Sequence, residues 1–244
     1  MTTPRIPQER LIVALDVPDL ESARRLVQRL SPTVTHFKVG SELFTACGPA
    51  AVELVQKAGG QVFLDLKYHD IPTTVAKAAR VAVRHGVWMF NVHVQGGLGM
   101  LREAATAARE EAQKAHRAPP LLVGVTVLTS MAERDLSDLG IRKSVKDQVL
   151  YLAQMAQKAG LDGLVASAQE TKVLRFACGP AFVLVTPGIR PAGAEWGDQQ
   201  RVETPAVALQ HGATYLVVGR PITEAADPAA AAQAIVQEMT AGVQ

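Results

Sequence analysis

QVFLDLKYHDIPTTVAKAARVAVRHGVWMFNVHV, residues 61–94, reads as strand, helix, strand. QVFLDLK (61–67) and VWMFNVHV (87–94) are short, β-branched and almost continuously apolar, the pattern of strands covered on both faces. Residues 73–85 between them carry a helical pattern. The same unit recurs outward in both directions. LIVALDV (11–17) and VTHFKVG (34–40) precede it, and LLVGVTVLT (121–129), GLVAS (163–167), FVLVTPG (182–188) and TYLVVGR (214–220) follow it, which makes eight candidate strands. Helical patterns are expected at 19–30, 49–58, 97–115, 145–159, 204–211 and 228–240. In the first, Leu20, Ala23, Leu26, Val27 and Leu30 repeat at helical spacing. Asp19 and Asp227 suit N-caps, and Pro228 suits a first helical turn.

Strands that alternate with helices, at about 30 residues per unit, form a parallel sheet. Eight units close it, so the expected fold is α/β, a single (β/α)8 TIM barrel spanning 1–244, with 1–9 as an N-terminal extension. The rival, an open doubly wound sheet, lacks a GxGxxG after the first strand. Two longer connections, at about 129–144 and 187–203, follow strands and so belong to the C-terminal face, where barrel enzymes place their chemistry.

The 244 residues carry 25 basic and 23 acidic side chains, a net +2, too balanced for a nucleic-acid surface. Cys47 and Cys178 are too few for a disulfide framework, and there is no CxxC pair or His/Asp/Glu cluster of the kind that holds zinc. Both cysteines lie in the string ACGPA, at 46–50 and 177–181, but the flanking residues do not match and no longer repeat is expected. No apolar run approaches the ~20 residues of a membrane helix, and MTTPRIPQER has no apolar signal region. The expectation is a cytoplasmic protein with no membrane or nucleic-acid partner.

Charge gathers at the ends of the first three strands. Asp16 ends the first, Lys38 the second, Asp65 and Lys67 the third, and Asp70 follows three residues on. Strand alternation puts Phe63, Asp65 and Lys67 on one face, which at the top of a barrel strand is the mouth. An ion-pair network that merely closes the barrel top is the alternative reading. Five alternating charges from three consecutive strand ends weigh against it, because buried charge is costly unless paired or put to use.

DLKYHDIPTTV (65–75) resembles the DxKxxD signature of the orotidine monophosphate decarboxylase superfamily, in the longer form DLKxHDIPxTV of its nucleotide decarboxylases. Thr73 stands where bacterial members often carry Asn. LDV with Asp16, FKVG with Lys38, NVH (91–93) with GG (96–97), VTVLTS (125–130), TPGIRP (186–191), GDQ (197–199) and VVGRPIT (217–223) are similar to the bacterial members too, in order, from about residue 10 to 240.

The resemblance implies decarboxylation of orotidine 5'-monophosphate to uridine 5'-monophosphate, the last step of de novo pyrimidine nucleotide synthesis, without metal or cofactor. It implies a homodimer with shared sites, in which Asp65, Lys67 and Lys38 act from one subunit and Asp70 and Thr74 from the other. Asp16 and Lys38 resemble the contacts to the ribose hydroxyls, and Thr129 the contact to the pyrimidine edge. Arg190 and Gln199, in the phosphate-gripping loop 187–203, and Gly219 and Arg220 after the last strand resemble the phosphate contacts. The chemistry agrees: loss of CO2 leaves charge at C6 with no adjacent sink, so a cation must stand there and then supply a proton, and Lys67 is placed to do so. A turn hydroxyl for Thr129 and Thr74, and solvated loop positions for Arg190 and Gln199, are the plainer alternatives. Asn91 and His93 read as a satisfied polar pair at the barrel mouth, and His69 receives no chemical role. The metal-dependent sugar-phosphate decarboxylases and aldolases of the same superfamily are the alternative function. They resemble one another in an acidic magnesium ligand where this chain has Lys38. A non-catalytic nucleotide-binding barrel would lack a member of the charged array, and none is missing.

Overall fold

The computed structural model describes residues 6–191 and 203–241. Eight parallel strands pair in chain order and the eighth returns to the first, closing a TIM barrel. They are β1 (Leu11–Ala14), β2 (His36–Gly40), β3 (Gln61–Tyr68), β4 (Met89–His93), β5 (Leu121–Val125), β6 (Gly163–Val165), β7 (Val183–Thr186) and β8 (Tyr215–Val218). The apolar runs that announced them extend past several C-terminal ends. Those extra residues leave the ladder and line the mouth.

The helices are α1 (Leu20–Leu30), α2 (Ser41–Cys47), α3 (Ala50–Lys57), α4 (Pro72–Arg84), α5 (Gly97–Lys114), α6 (Glu133–Asp138), α7 (Val145–Ala159), α8 (Ala168–Cys178), α9 (Pro205–Gln210), α10 (Arg220–Thr223) and α11 (Pro228–Ala241). The expected caps form: Asp19 accepts from Ser22 N at 2.7 Å, and Asp227 from Ala229 N at 3.0 Å. Four of these helices, α2, α6, α8 and α10, were not expected from the sequence. In α8 the reason is physical, since its buried face includes Glu170 and Thr171, so no apolar stripe marks it. The two ACGPA strings end α2 and α8, each through a glycine at positive φ (+57° at Gly48, +83° at Gly179). They encode the same local stop, a glycine at positive φ followed by proline, and no larger repeat.

Alternation along each strand divides the core in two. Ile12, Phe63, Met89, Val123, Val185 and Val217 fill the barrel, while Val13, Phe37, Leu64 and Phe90 pack outward beneath the helices. Each such buried side chain stabilises the fold by roughly 1.5–3 kcal/mol. The fit is close at Gly163, where a Cβ would stand 2.2 Å from the Val183 carbonyl oxygen. The N-terminal end of the barrel is plugged by rings. Trp88 lies 4.3 Å from His36 and 5.0 Å, edge-on, from Tyr215. Arg10 ties the chain before β1 to the carbonyls of Ala213 and Thr214 before β8, at 2.5 and 3.1 Å.

Candidate active site

Register delivers the charges to one place. Ala14 of β1 pairs with Lys38 of β2, Lys38 with Phe63 of β3, and Gly40 with Asp65. Leu15 N donates to the Lys38 carbonyl at 2.9 Å, which carries the chain one residue past β1 and sets Asp16 beside β2. Lys38 Nζ then meets Asp16 Oδ1 at 2.8 Å and Asp65 Oδ2 at 3.3 Å, and Lys67 Nζ meets Asp65 Oδ1 at 2.7 Å. The result is an alternating row, Asp16–Lys38–Asp65–Lys67. Gly40 leaves room for it, since a Cβ there would come within 2.8 Å of Lys38 Nζ and 3.0 Å of Asp16 Oδ1.

Pairing decides the charge states. Burial alone would push the Lys38 ammonium down, but Asp65 and Asp16 outweigh it and hold its pKa above the usual lysine value. Burial would likewise raise the Asp65 carboxyl, yet Lys38, Lys67 and the hydrogen bonds from Lys67 and Asn91 hold it below the usual carboxylate range. Asp65 is therefore an anion only 8% exposed, flanked by two ammonium groups.

The row forms one side of a cavity of about 420 Å3, within the ~300–1,000 Å3 of small-ligand sites. Thr129, Arg190, Gly219 and Arg220 line its other parts. Arg190 is held below the ordinary guanidinium value by burial and by the like charge of Arg220. An anion between the two would relieve that repulsion. Ile189 forms a bridge with Glu203 and Arg190 N donates to the Glu203 carbonyl at 3.0 Å, so the two ends of the 187–203 connection are tied together. Gln199 lies outside the described residues.

Two expected residues are not in this cavity. Asp70 is exposed and its Oδ1 accepts from Ile71 N at 2.6 Å, and Thr74 is exposed in the first turn of α4. His93 and Asn91 do not form the expected polar pair. His93 stacks near His69, with ring centroids 5.5 Å apart, and its pKa is lowered by burial and by the neighbouring positive groups.

Asn91 is the residue whose contacts the sequence did not disclose. It is fully buried, its Oδ1 accepts from Lys67 N at 2.8 Å, and its Nδ2 donates to Asp65 Oδ1 at 2.6 Å. Its signal was present, an amide between Met89 and His93 on the inward face of an apolar strand, where a polar group must find partners. The backbone it touches is irregular. Leu64 pairs with Phe90 and Tyr68 with Val92, so three residues of β3 face one of β4, and Lys67 takes φ +50°. A left-handed non-glycine residue costs on the order of 1–2 kcal/mol and persists where its surroundings hold it, often at functional sites.

Known proteins resemble the chain in sequence and in fold. The model of the orotidine 5'-phosphate decarboxylase / HUMPS family matches residues 9–235. The orotidine 5'-phosphate decarboxylase of Moorella thermoacetica is 58% identical over 233 residues, covering 95% of this chain and 92% of its own. That of Syntrophotalea carbinolica is 52% identical over 237 residues and 97% of each chain. The crystal structure of orotidine 5'-phosphate decarboxylase from Lactobacillus acidophilus superposes with a TM-score of 0.84 at 38% identity, over 95% of this chain and 99% of that one. Matched in sequence over nearly its whole length and in fold over the same span, the chain belongs to the orotidine 5'-phosphate decarboxylase / HUMPS family.

Proposed function

We propose that this protein is a carboxy-lyase that converts orotidine 5'-monophosphate to uridine 5'-monophosphate, and that Lys67 supplies the proton. The observation that carries the reading is the Asp16–Lys38–Asp65–Lys67 row on a nucleotide-sized cavity, with Arg190 and Arg220 among the residues that line it. The two bacterial relatives named as this enzyme, at 58% and 52% identity, support the substrate.

The arrangement suits the chemistry. The C6–carboxylate bond breaks, CO2 leaves, and the electron pair stays on C6. The Lys67 ammonium stabilises that charge and gives it a proton, forming C6–H, and the neutral amine recovers a proton from solvent. Asp65 directs the ammonium, Lys38 and Asp16 hold the ribose hydroxyls, and Thr129 meets the pyrimidine edge. Gly219, Arg220, Arg190 and Gln199 take the phosphate, and the 187–203 connection grips it, turning phosphate binding into alignment at the reacting carbon. One catalytic domain spans the chain.

Asp70 and Thr74 complete the site of a partner subunit. Support comes from their exposure outside their own cavity and from two exposed apolar side chains, Ile71 next to Asp70 and Val81 farther along α4, 64% and 41% exposed. No helix among the described residues is long and apolar enough to cross a membrane, and the two cysteines are free thiols, in keeping with the cytoplasm as its compartment.

The metal-dependent sugar-phosphate reading fails on Lys38. Its ammonium stands between Asp16 and Asp65, at 2.8 and 3.3 Å, where those carboxylates would have to meet a divalent cation. The test is turnover of orotidine 5'-monophosphate, followed by loss of its ultraviolet absorbance, with and without excess EDTA. Equal rates are expected. No turnover would reject the reading, and turnover abolished by EDTA would favour a metal enzyme.

A further inference from the structure

We propose that Asn91 is a positioning residue for the proton-donating lysine, setting both the backbone turn that aims Lys67 and the carboxylate oxygen that holds it. The inference rests on the decarboxylase reading for its kinetic part and on geometry for the rest. A backbone N–H can only donate, so the Asn91 atom facing Lys67 N is the oxygen, and the nitrogen must face Asp65, whose carboxylate can only accept. The amide orientation is thereby fixed by its two partners.

The two bonds do different work. Lys67 N leaves the regular β3–β4 ladder in the irregular stretch between Leu64 and Tyr68, and the Asn91 oxygen, 2.8 Å away, satisfies it in place of a backbone carbonyl. Without that acceptor a part-buried N–H is left without its partner, and the strand gains by relaxing toward a regular ladder. Three residues of β3 stand against one of β4, so a regular ladder would move Lys67 two residues along β4, roughly 6–7 Å on the same face, and carry its ammonium out of the position it holds in the cavity. The second bond converges with the ion pair, because Asp65 Oδ1 accepts from Asn91 Nδ2 at 2.6 Å and from Lys67 Nζ at 2.7 Å. One oxygen is thus fixed between a neutral donor and a charged one. An amide supplies this donor without adding charge beside a buried carboxylate, which a carboxyl side chain of the same shape would not do at neutral pH.

The test compares wild type, Asn91→Ala and Asn91→Asp. For Asn91→Ala, kcat is expected to fall about 100-fold, the scale of an ångström-level misplacement at a reacting centre, while KM and the dissociation constant of uridine 5'-monophosphate stay within about threefold. Asn91→Asp keeps the acceptor for Lys67 N but sets a second carboxyl against Asp65, so the two share a proton. Its kcat is expected to approach wild type at low pH and to fall as pH rises through the titration of the pair, a limb that the wild-type profile lacks in that range. A purely structural role predicts instead lost nucleotide affinity and lost melting temperature in Asn91→Ala, with an unaltered pH profile in Asn91→Asp. That result, or wild-type kcat in Asn91→Ala, would overturn the proposal. If Asn91→Ala does not fold, the Asn91→Asp profile decides. Absence of wild-type turnover would reject the decarboxylase reading instead, and a crystal structure of Asn91→Ala then decides the geometry. Lys67 at negative φ supports the proposal, and Lys67 still at positive φ beside Asp65 overturns it.

Discussion

At the C-terminal end of the barrel Asp65 lies 8% exposed and accepts two ammonium groups within 3.3 Å, whereas at the N-terminal end His36 stacks 4.3 Å from Trp88 and burial holds its imidazole down at about 4. Both ends bury titratable groups, but by opposite means. At the mouth each charge of the Asp16–Lys38–Asp65–Lys67 row is kept and matched by a neighbour of opposite sign. At the base the imidazole gives up its charge and packs as a neutral ring against rings. Tyr215 follows the same rule, its phenol pushed up to about 12 by burial and by Glu9. Charge that is held in place and reaches a cavity can act on a ligand, whereas a neutral ring stacked among rings serves the packing of the barrel end. The two ends of one barrel are therefore expected to separate under mutation into losses of activity and losses of stability.

The largest effect is expected at Lys67. Lys67→Ala should lower kcat roughly 10,000-fold, the combined scale of a lost proton donor and a lost electrostatic partner. Asp65 keeps Lys38 at 3.3 Å and Asn91 at 2.6 Å, so it is not stranded. The melting temperature should then move by no more than about 4 °C, the equivalent of roughly 1 kcal/mol in a chain of this size. Turnover near the wild-type rate would remove Lys67 from the mechanism, and a collapse of stability would place it with the structural end.

The next effect tests whether the mouth is complete within one chain. Lys67→Ala and Asp70→Ala proteins, each inactive alone, should regain activity when mixed and allowed to exchange subunits. At equal amounts, random pairing gives about half hybrids with one intact site each, hence about a quarter of wild-type activity. No recovery, with exchange verified by mass, would mean that Asp70 does not serve a neighbouring site.

At the base, Trp88→Ala should do the reverse. Removing a large ring from between His36 and Tyr215 should cost about 3 kcal/mol and lower the melting temperature by roughly 6–12 °C, with kcat/KM within about twofold. A tenfold loss of kcat/KM at a temperature where the variant is folded would erase the distinction between the two ends.

The two ends were unequally legible. The mouth could be read because its charges interrupt apolar strands at their ends, and alternation assigns a face to each: Asp65 and Lys67 converge as expected. What stayed hidden there depends on contacts distant in sequence. Asn91 meets Lys67 and Asp65 across 24 and 26 residues, and the left-handed turn at Lys67 belongs to a residue with no local preference for it. The base gave less warning. His36, Trp88 and Tyr215 come from three separate segments, and only the closed register brings their rings together. Helix α8 escaped for a similar reason, since Glu170 and Thr171 face inward and no apolar period marks it.

The smallest and most specific effect is the pH dependence of stability that the base should impose. An unfolded histidine titrates near its ordinary value of 6.5, while His36 in the folded barrel takes up a proton only near 4, because burial outweighs the opposing pull of Glu9. Between those values the unfolded chain binds more protons than the folded one. Stability therefore falls as pH drops from about 6.5 to about 4 and loses nothing further from this group below that, a total of roughly 3 kcal/mol. Asp65 obeys the opposite limit, since its carboxyl is held below the usual range and its contribution persists until lower pH. Denaturant unfolding of wild type and His36→Phe at pH 7 and pH 4.5 isolates the base, because other groups cancel in the difference. The phenyl ring keeps the stack on Trp88 and cannot be protonated. The variant should lose about 2 kcal/mol less than wild type over that interval, with turnover at pH 7 unchanged. Equal losses in the two proteins would mean that His36 is not the group held neutral at the base. An altered turnover would mean that the base is coupled to the mouth, and the division of labour between the two ends would have to be given up.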